Sequence, residues 1–171
     1  MKITILVIGG VIIATLAYIL IFVDGDTQPG VEVGENQGVI ALEFEDYDGK
    51  EVSLADFAGT PLVVNSWATW CPFCVNELPD FAAAQEELGD SVIIIAIDRQ
   101  ESMSAAKKFS DNLGVTNDMV FWIDSSDSFY REIGGFSMPE TIFINAQGET
   151  IDHKRGPMDK EEIIERIQAI L

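Results

Sequence analysis

Cys71 and Cys74 constrain this chain more than any other feature, because they are the only two cysteines in its 171 residues. They can pair only with each other or with a cysteine of another molecule. A disulfide across a four-residue loop adds roughly 2 kcal/mol of stability by chain-entropy estimates, less than the about 3 kcal/mol of a fifteen-residue loop. The spacing therefore favours a chemical role for this pair over a structural one.

The surrounding pattern predicts that the pair lies where a strand ends and a helix begins. Residues 61–67 are an apolar run typical of a buried strand, and apolar side chains recur at helical spacing after Cys74. Cys71 would then cap the helix, with Pro72 in the first turn, where a missing N–H is tolerated. Free backbone N–H groups and the helix dipole favour the Cys71 thiolate, the attacking species in disulfide exchange. Cys74 would resolve the mixed disulfide.

The pair is also compatible with three other roles. A zinc site usually needs about four Cys or His ligands, and the only further candidate is His153, so we expect neither a metal ion nor another cofactor. A purely structural disulfide and an inert dithiol in a vestigial domain are the remaining alternatives.

Four stretches of the sequence match a known pattern in order and spacing. Residues 65–79 surround the dithiol, and the others are 48–54, 137–145 and 147–149. Together they resemble the membrane-anchored TlpA/ResA-like thiol-disulfide oxidoreductases of the thioredoxin superfamily, over nearly all of the chain after its first thirty-odd residues. The resemblance implies an α/β, thioredoxin-like fold, a central mixed β-sheet flanked by helices on both faces, with a redox-active disulfide in its active site.

The resemblance also implies how a client protein would bind. In thioredoxin-like proteins the proline that matches Pro139 follows a cis peptide bond and lies beside the dithiol. Met138 would then pair with an extended client segment through main-chain hydrogen bonds. Phe73 would face the client as an apolar contact, and Trp70 and Pro72 complete the predicted client-binding set.

Glu77 is the candidate for proton transfer. It lies three residues after Cys74, so the two side chains would share a helix face. In ResA-like proteins a glutamate at the matching position lies near the active site and helps to manage protons. Thioredoxins carry a buried aspartate where this chain has Asn65, which cannot take a proton. Glu77 is therefore the predicted base for the Cys74 thiol; the alternative is an ordinary solvated glutamate.

The first residues predict a membrane anchor. Residues 3–23 contain no charged side chain and would span about 31 Å as a helix, close to the roughly 30 Å of a bilayer core. Lys2 precedes this segment and acidic residues follow it, so the positive-inside rule places the rest outside the cytoplasm. A cleaved signal peptide is the alternative. We expect an anchor at 1–23, a linker at 24–38 and one domain at 39–171.

Apolar runs and helical patterns alternate along that domain, which is typical of an α/β sheet covered on both faces. The helix between the third and fourth strands serves as a parallel crossover. The predicted strands are 39–44, 61–67, 92–97, 119–123, 141–145 and 149–155, and helical faces run from Val75 to Leu88, Met103 to Leu113, Phe129 to Ile133 and Ile163 to Leu171.

The formal net charge is −19, from 29 acidic and 10 basic side chains. Such a field repels nucleic acid and anionic lipid and could attract a basic partner. The one basic cluster, His153 to Arg155, is predicted to be solvated surface on a hairpin edge.

These observations predict a membrane-anchored, extracytoplasmic thiol-disulfide oxidoreductase. The resemblance favours reduction of client disulfides, such as those of an apocytochrome during c-type haem attachment, with electrons from a membrane thiol carrier. A disulfide-forming oxidant and a redoxin-like peroxidase are alternative enzymes, although Thr69 and Cys71 do not fit the usual Thr-x-x-Cys arrangement of peroxidases. A non-catalytic redox sensor or binding adaptor is the alternative outside enzymology.

Overall fold

The computed structural model describes residues 37–171. The predicted anchor and nearly all of the predicted linker at 24–38 lie outside this range. Within it, no helix is both long enough and apolar enough to cross a membrane. The strands are β1 (Glu43–Asp46), β2 (Glu51–Ser53), β3 (Leu62–Trp67), β4 (Ile93–Arg99), β5 (Val120–Asp124), β6 (Glu140–Ile144) and β7 (Thr150–Arg155). The helices are α1 (Gln37–Ile40), α2 (Pro72–Leu88), α3 (Met103–Leu113), α4 (Ser128–Glu132) and α5 (Lys160–Gln168), with 3-10 turns at Leu54–Phe57 and Gly89–Ser91.

The described strands form one mixed sheet in the order β2-β1-β5-β4-β3-β6-β7. The three central strands, β5, β4 and β3, are parallel, and every other pairing is antiparallel. Parallel strands need helical crossovers, which α2 and α3 provide. The carboxyl ends of the central strands therefore meet at one edge of the sheet, and β3 delivers the chain directly to Cys71 there.

Hydrophobic side chains cover both faces of this sheet, because successive residues of a strand point to opposite sides. Val63 of β3 and Ile94 of β4 pack into one cluster with residues of α2, α3 and α5. Val64 and Ile95 pack into a second cluster with α1, α4 and the turn at Leu54–Phe57. The predicted α/β sheet with helices on both faces is thus confirmed.

The start of the domain differs from the prediction. The predicted strand at 39–44 is wrong in its first half, because Gln37–Ile40 form α1 and β1 begins only at Glu43. A short apolar run fits a buried helix turn as well as a strand, so periodicity alone does not separate the two. Strand β2 was not predicted, since its three residues are too few to show a period.

Candidate active site

The dithiol lies where predicted, at the junction of β3 and α2. Cys71 is the N-cap of α2 and Pro72 occupies its first turn. The Cys74 backbone N–H donates a hydrogen bond to Cys71 Sγ over 3.2 Å, and the two cysteines form a disulfide. Cys71 keeps 3% of its surface exposed whereas Cys74 has none. The helix N-terminus therefore supports negative charge on Cys71, the more exposed of the two cysteines.

Glu77 is buried beneath this junction, with 2% of its surface exposed. The Met158 backbone N–H donates to one carboxylate oxygen over 2.9 Å, and the Asn65 side-chain amide donates to the other over 3.3 Å. Burial raises the pKa of Glu77 to about 8, although those two hydrogen bonds act in the opposite direction. The alternative of a solvated helix glutamate is therefore wrong.

The loop that precedes β6 reaches the same region from the other side. The Met138–Pro139 bond is cis, as predicted, and the Pro139 carbonyl accepts the Gly156 N–H over 2.9 Å. Met138 packs against the hydrophobic cluster that contains both cysteines, and its sulfur lies 3.8 Å from Ser66 Oγ. The fold thus brings the predicted cis-proline loop to the dithiol.

Exposed aromatic side chains belong to the same two loops. Trp70 and Phe73 are each 60% exposed, on either side of Cys71, and Pro72 is exposed between them. Phe136, two residues before Met138, is 86% exposed. Sequence reasoning missed Phe136, although an aromatic side chain between Gly135 and Ser137, close to the proline, was the available signal. The chain around the dithiol and before the cis-proline therefore exposes three large aromatic side chains.

Two acidic residues near the dithiol loop were also missed. Glu101 accepts hydrogen bonds from the backbone N–H and the hydroxyl of Thr69, each over 2.6 Å, and so holds the loop that leads to Cys71. Asp98 lies opposite Trp67 in the β3–β4 register and is fully buried. Among the described residues its Oδ2 has no hydrogen-bond partner. Burial, reinforced by the Glu101 carboxylate, raises the pKa of Asp98 to about 8.

We predict that Asp98→Asn flattens the pH dependence of stability. The pKa of Asp98 rises from an ordinary 3.8 to about 8 on folding. Its contribution to the free energy of unfolding is therefore fully present below about pH 4, where the group is protonated in both states, and is lost as pH rises towards 8. The amide of the variant cannot ionise, and the variant should gain about 2–4 kcal/mol on the wild type between pH 5 and pH 8.5. Urea unfolding at both pH values measures this, and parallel changes in the two proteins would contradict it.

The prediction of a solvated basic cluster is wrong for two of its three residues. His153 and Lys154 are half-buried, and only Arg155 is exposed. His153 Nε2 lies 2.7 Å from a carboxylate oxygen of Glu140, and Lys154 Nζ lies 2.9 Å from Glu162. Each pair joins two different elements, β7 to β6 or β7 to α5, so the partners meet only when these elements have packed together.

Comparison with known proteins places this geometry in a family. Residues 24–170 match the Redoxin family. The thiol-disulfide oxidoreductase ResA of Bacillus thuringiensis subsp. konkukian is 30% identical over 128 residues, which cover 73% of this chain and 72% of that protein. The crystal structure of StoA from Bacillus subtilis has a TM-score of 0.64 at 24% identity, and the match covers 75% of this chain and 97% of that one. The structure of DsbF from MTB has a TM-score of 0.71 at 22% identity and covers 78% and 98%. These two structures show a shared fold.

Proposed function

Because the chain belongs to the Redoxin family and is a ResA-like thiol-disulfide oxidoreductase of the thioredoxin superfamily, we propose that it reduces disulfides in extracytoplasmic client proteins. One observation carries this proposal most directly. Cys71 caps α2 and accepts a backbone N–H, while the Glu77 carboxyl is buried three residues beyond Cys74 on the same helix. The arrangement provides an attacking thiolate, a resolving thiol and a proton acceptor within the segment from Cys71 to Glu77.

The proposed cycle starts from the reduced dithiol. The Cys71 thiolate attacks one sulfur of the client disulfide, forms a mixed disulfide and expels the second client sulfur as a thiolate. Glu77 then takes the proton of the Cys74 thiol. The Cys74 thiolate attacks Cys71 Sγ, the mixed disulfide breaks, and the client sulfur that Cys71 had attacked leaves as a thiolate. Two electrons have passed to the client, and the enzyme is left with the Cys71–Cys74 disulfide.

Client binding in this proposal uses the two loops beside the dithiol. Met138 offers its backbone groups to an extended client segment, as in strand addition. Trp70 and Phe73 are 60% exposed and with Pro72 supply apolar contacts next to Cys71. A client segment would therefore lie between the dithiol loop and the cis-proline loop, with its disulfide against Cys71.

Location and partners complete the proposal. Residues 3–23 serve as a single-pass anchor that keeps the domain at the outer face of the cell membrane, for the reasons of charge and length given above. Electrons come from a membrane thiol carrier, since an outward-facing dithiol cannot meet a cytoplasmic reductant. An apocytochrome c that awaits haem attachment is the proposed client, in line with the ResA resemblance.

The thiol state of the full-length protein in its own cells tests the direction of electron flow between the protein and its clients. Rapid acid quenching followed by alkylation with a heavy maleimide should show most molecules with both cysteines modified, because a reductase is kept reduced by its donor. Cells that lack the protein should accumulate clients in disulfide form. A steady state dominated by the Cys71–Cys74 disulfide would support the oxidant alternative instead.

A further inference from the structure

The segment from Gly134 to Met138, here called the client loop, is held by a buried acid. Glu140 follows the cis-proline at the start of β6 and has none of its surface exposed. Its Oε1 accepts the backbone N–H of Phe136 over 2.5 Å and that of Ser137 over 2.6 Å. Hydrogen bonds from an N–H to a carboxylate are about twice as strong as neutral ones. One carboxylate oxygen therefore fixes two consecutive peptide groups of the loop.

A second contact holds the client loop from α4. The Tyr130 hydroxyl donates to the Ser137 carbonyl over 3.0 Å. The Tyr130 ring lies against Gly135, where an added Cβ would be 2.5 Å from the ring carbons. The Arg99 guanidinium lies 3.4 Å from the centre of that ring and pairs with Asp127 through two 2.7 Å hydrogen bonds. Both polar groups of the Ser137 backbone thus have a side-chain partner.

The other oxygen of Glu140 faces basic groups of β7. His153 Nε2 lies 2.7 Å from Oε2, and Arg155 Nε lies 3.6 Å from it. Burial of an unpaired carboxylate would be costly, so these two groups make it possible to keep a charged acceptor beneath the loop. His153 and Arg155, which the sequence predicted to be solvated surface, therefore complete this arrangement.

We propose that Glu140 is a positioning residue for client recognition. It fixes the client loop so that Phe136 and Met138 contact an extended client segment that carries an apolar side chain beside its cysteine. Phe136 is 86% exposed, on a backbone with little freedom. A contact residue held in place before binding loses less conformational entropy when the client arrives. The inference rests on the proposed function, because it concerns the client of that same dithiol.

The test compares a peptide substrate with a small one. Full-length protein, kept reduced by the same thiol donor throughout, is mixed with a disulfide-linked peptide that carries Phe beside its cysteine, and separately with oxidised glutathione. We expect Glu140→Ala to raise KM for the peptide about 10-fold, the equivalent of one strong hydrogen bond. The kcat for the peptide and the rate with glutathione should stay within about twofold. Glu140→Gln keeps an oxygen acceptor and should recover most of the peptide affinity.

The controls separate this effect from general damage. Asp46→Ala makes the matching truncation of a loop-holding carboxylate at the end of β1, where Asp46 Oδ1 accepts the N–H groups of Asp48 and Lys50, and should leave both substrates unaffected. Phe136→Ala should abolish the preference for Phe over Ser in the peptide. If Glu140→Ala does not fold, Tyr130→Phe, which removes the hydroxyl bonded to Ser137, should raise the peptide KM by about threefold.

Two results would overturn the proposal. The first is an unchanged peptide KM in a folded Glu140→Ala or Tyr130→Phe variant. The second is an equal loss of activity towards the peptide and towards glutathione, since a purely structural role of Glu140 would affect the reduction of both. Failure of the wild-type protein to reduce either substrate would instead count against the proposed function.

Discussion

Replacement of Cys71 by serine should abolish disulfide exchange and lower the rate of client reduction by roughly 10³-fold or more, because removal of a covalent nucleophile removes the whole pathway. The serine hydroxyl is not ionised at neutral pH and cannot form the mixed disulfide. The fold should persist, since the disulfide closes a loop of only four residues and contributes roughly 2 kcal/mol. Client reduction by wild-type and variant protein under a common thiol donor measures the effect.

Cys74→Ser is the matched control for this prediction. It leaves the Cys71 thiolate free to attack but removes the group that resolves the intermediate, so a mixed disulfide between Cys71 and the client should accumulate. Non-reducing electrophoresis and mass spectrometry locate that bond. A Cys71→Ser protein that kept its partner and its cellular phenotype would identify an adaptor, and a mixed disulfide through Cys74 would reverse the assigned roles.

Glu77→Gln should slow the resolving step about 100-fold near neutral pH, the size expected when a general base is lost. The amide preserves the shape of the side chain but cannot take the Cys74 proton. Burial raises the pKa of Glu77 to about 8, so the wild-type rate should rise with pH up to about 8 as the carboxylate forms. In the variant the rate should show no levelling near pH 8 and should keep rising with pH, because it then depends on ionisation of the Cys74 thiol alone.

Rapid mixing separates the two chemical steps. Formation of the mixed disulfide depends on Cys71 and should stay within about threefold of wild type in Glu77→Gln, whereas its decay should slow. Glu86→Gln is the control, because Glu86 is an exposed carboxylate further along the same helix and the substitution is the same. Equal pH profiles for decay in wild type and Glu77→Gln would show that Glu77 is not the base.

The central part of the fold was predictable because its signals are local. The run at 61–67 precedes an apolar face with helical spacing, and β3 and α2 have the corresponding bounds. The spacing of Cys71, Pro72 and Cys74 likewise predicted that Cys71 caps the helix. Short elements lack such periodicity, which is why α1 was mistaken for a strand and β2 was missed.

The acids around the site show what sequence patterns cannot supply. Glu77 was singled out by its distance from Cys74 and by the family resemblance, but its burial depends on Met158, which lies 81 residues further along the chain. Glu140, Asp98 and Glu101 are three of 29 acidic side chains. The apolar runs beside Asp98 and Glu140 predict strands but do not show that these two acids are buried, and Glu101 is half-buried. Their environment arises from strand pairing and loop packing, which become visible only in the folded chain.

The equilibrium reduction potential of the Cys71–Cys74 pair tests the central claim most directly. The full-length protein is titrated against glutathione or dithiothreitol buffers, and alkylation reports the fraction reduced. A reductase maintained by a membrane donor predicts a potential near or below about −250 mV. A value near −120 to −160 mV would contradict this direction and indicate a disulfide-forming oxidant, since roughly 30 mV corresponds to 1.4 kcal/mol for a two-electron couple.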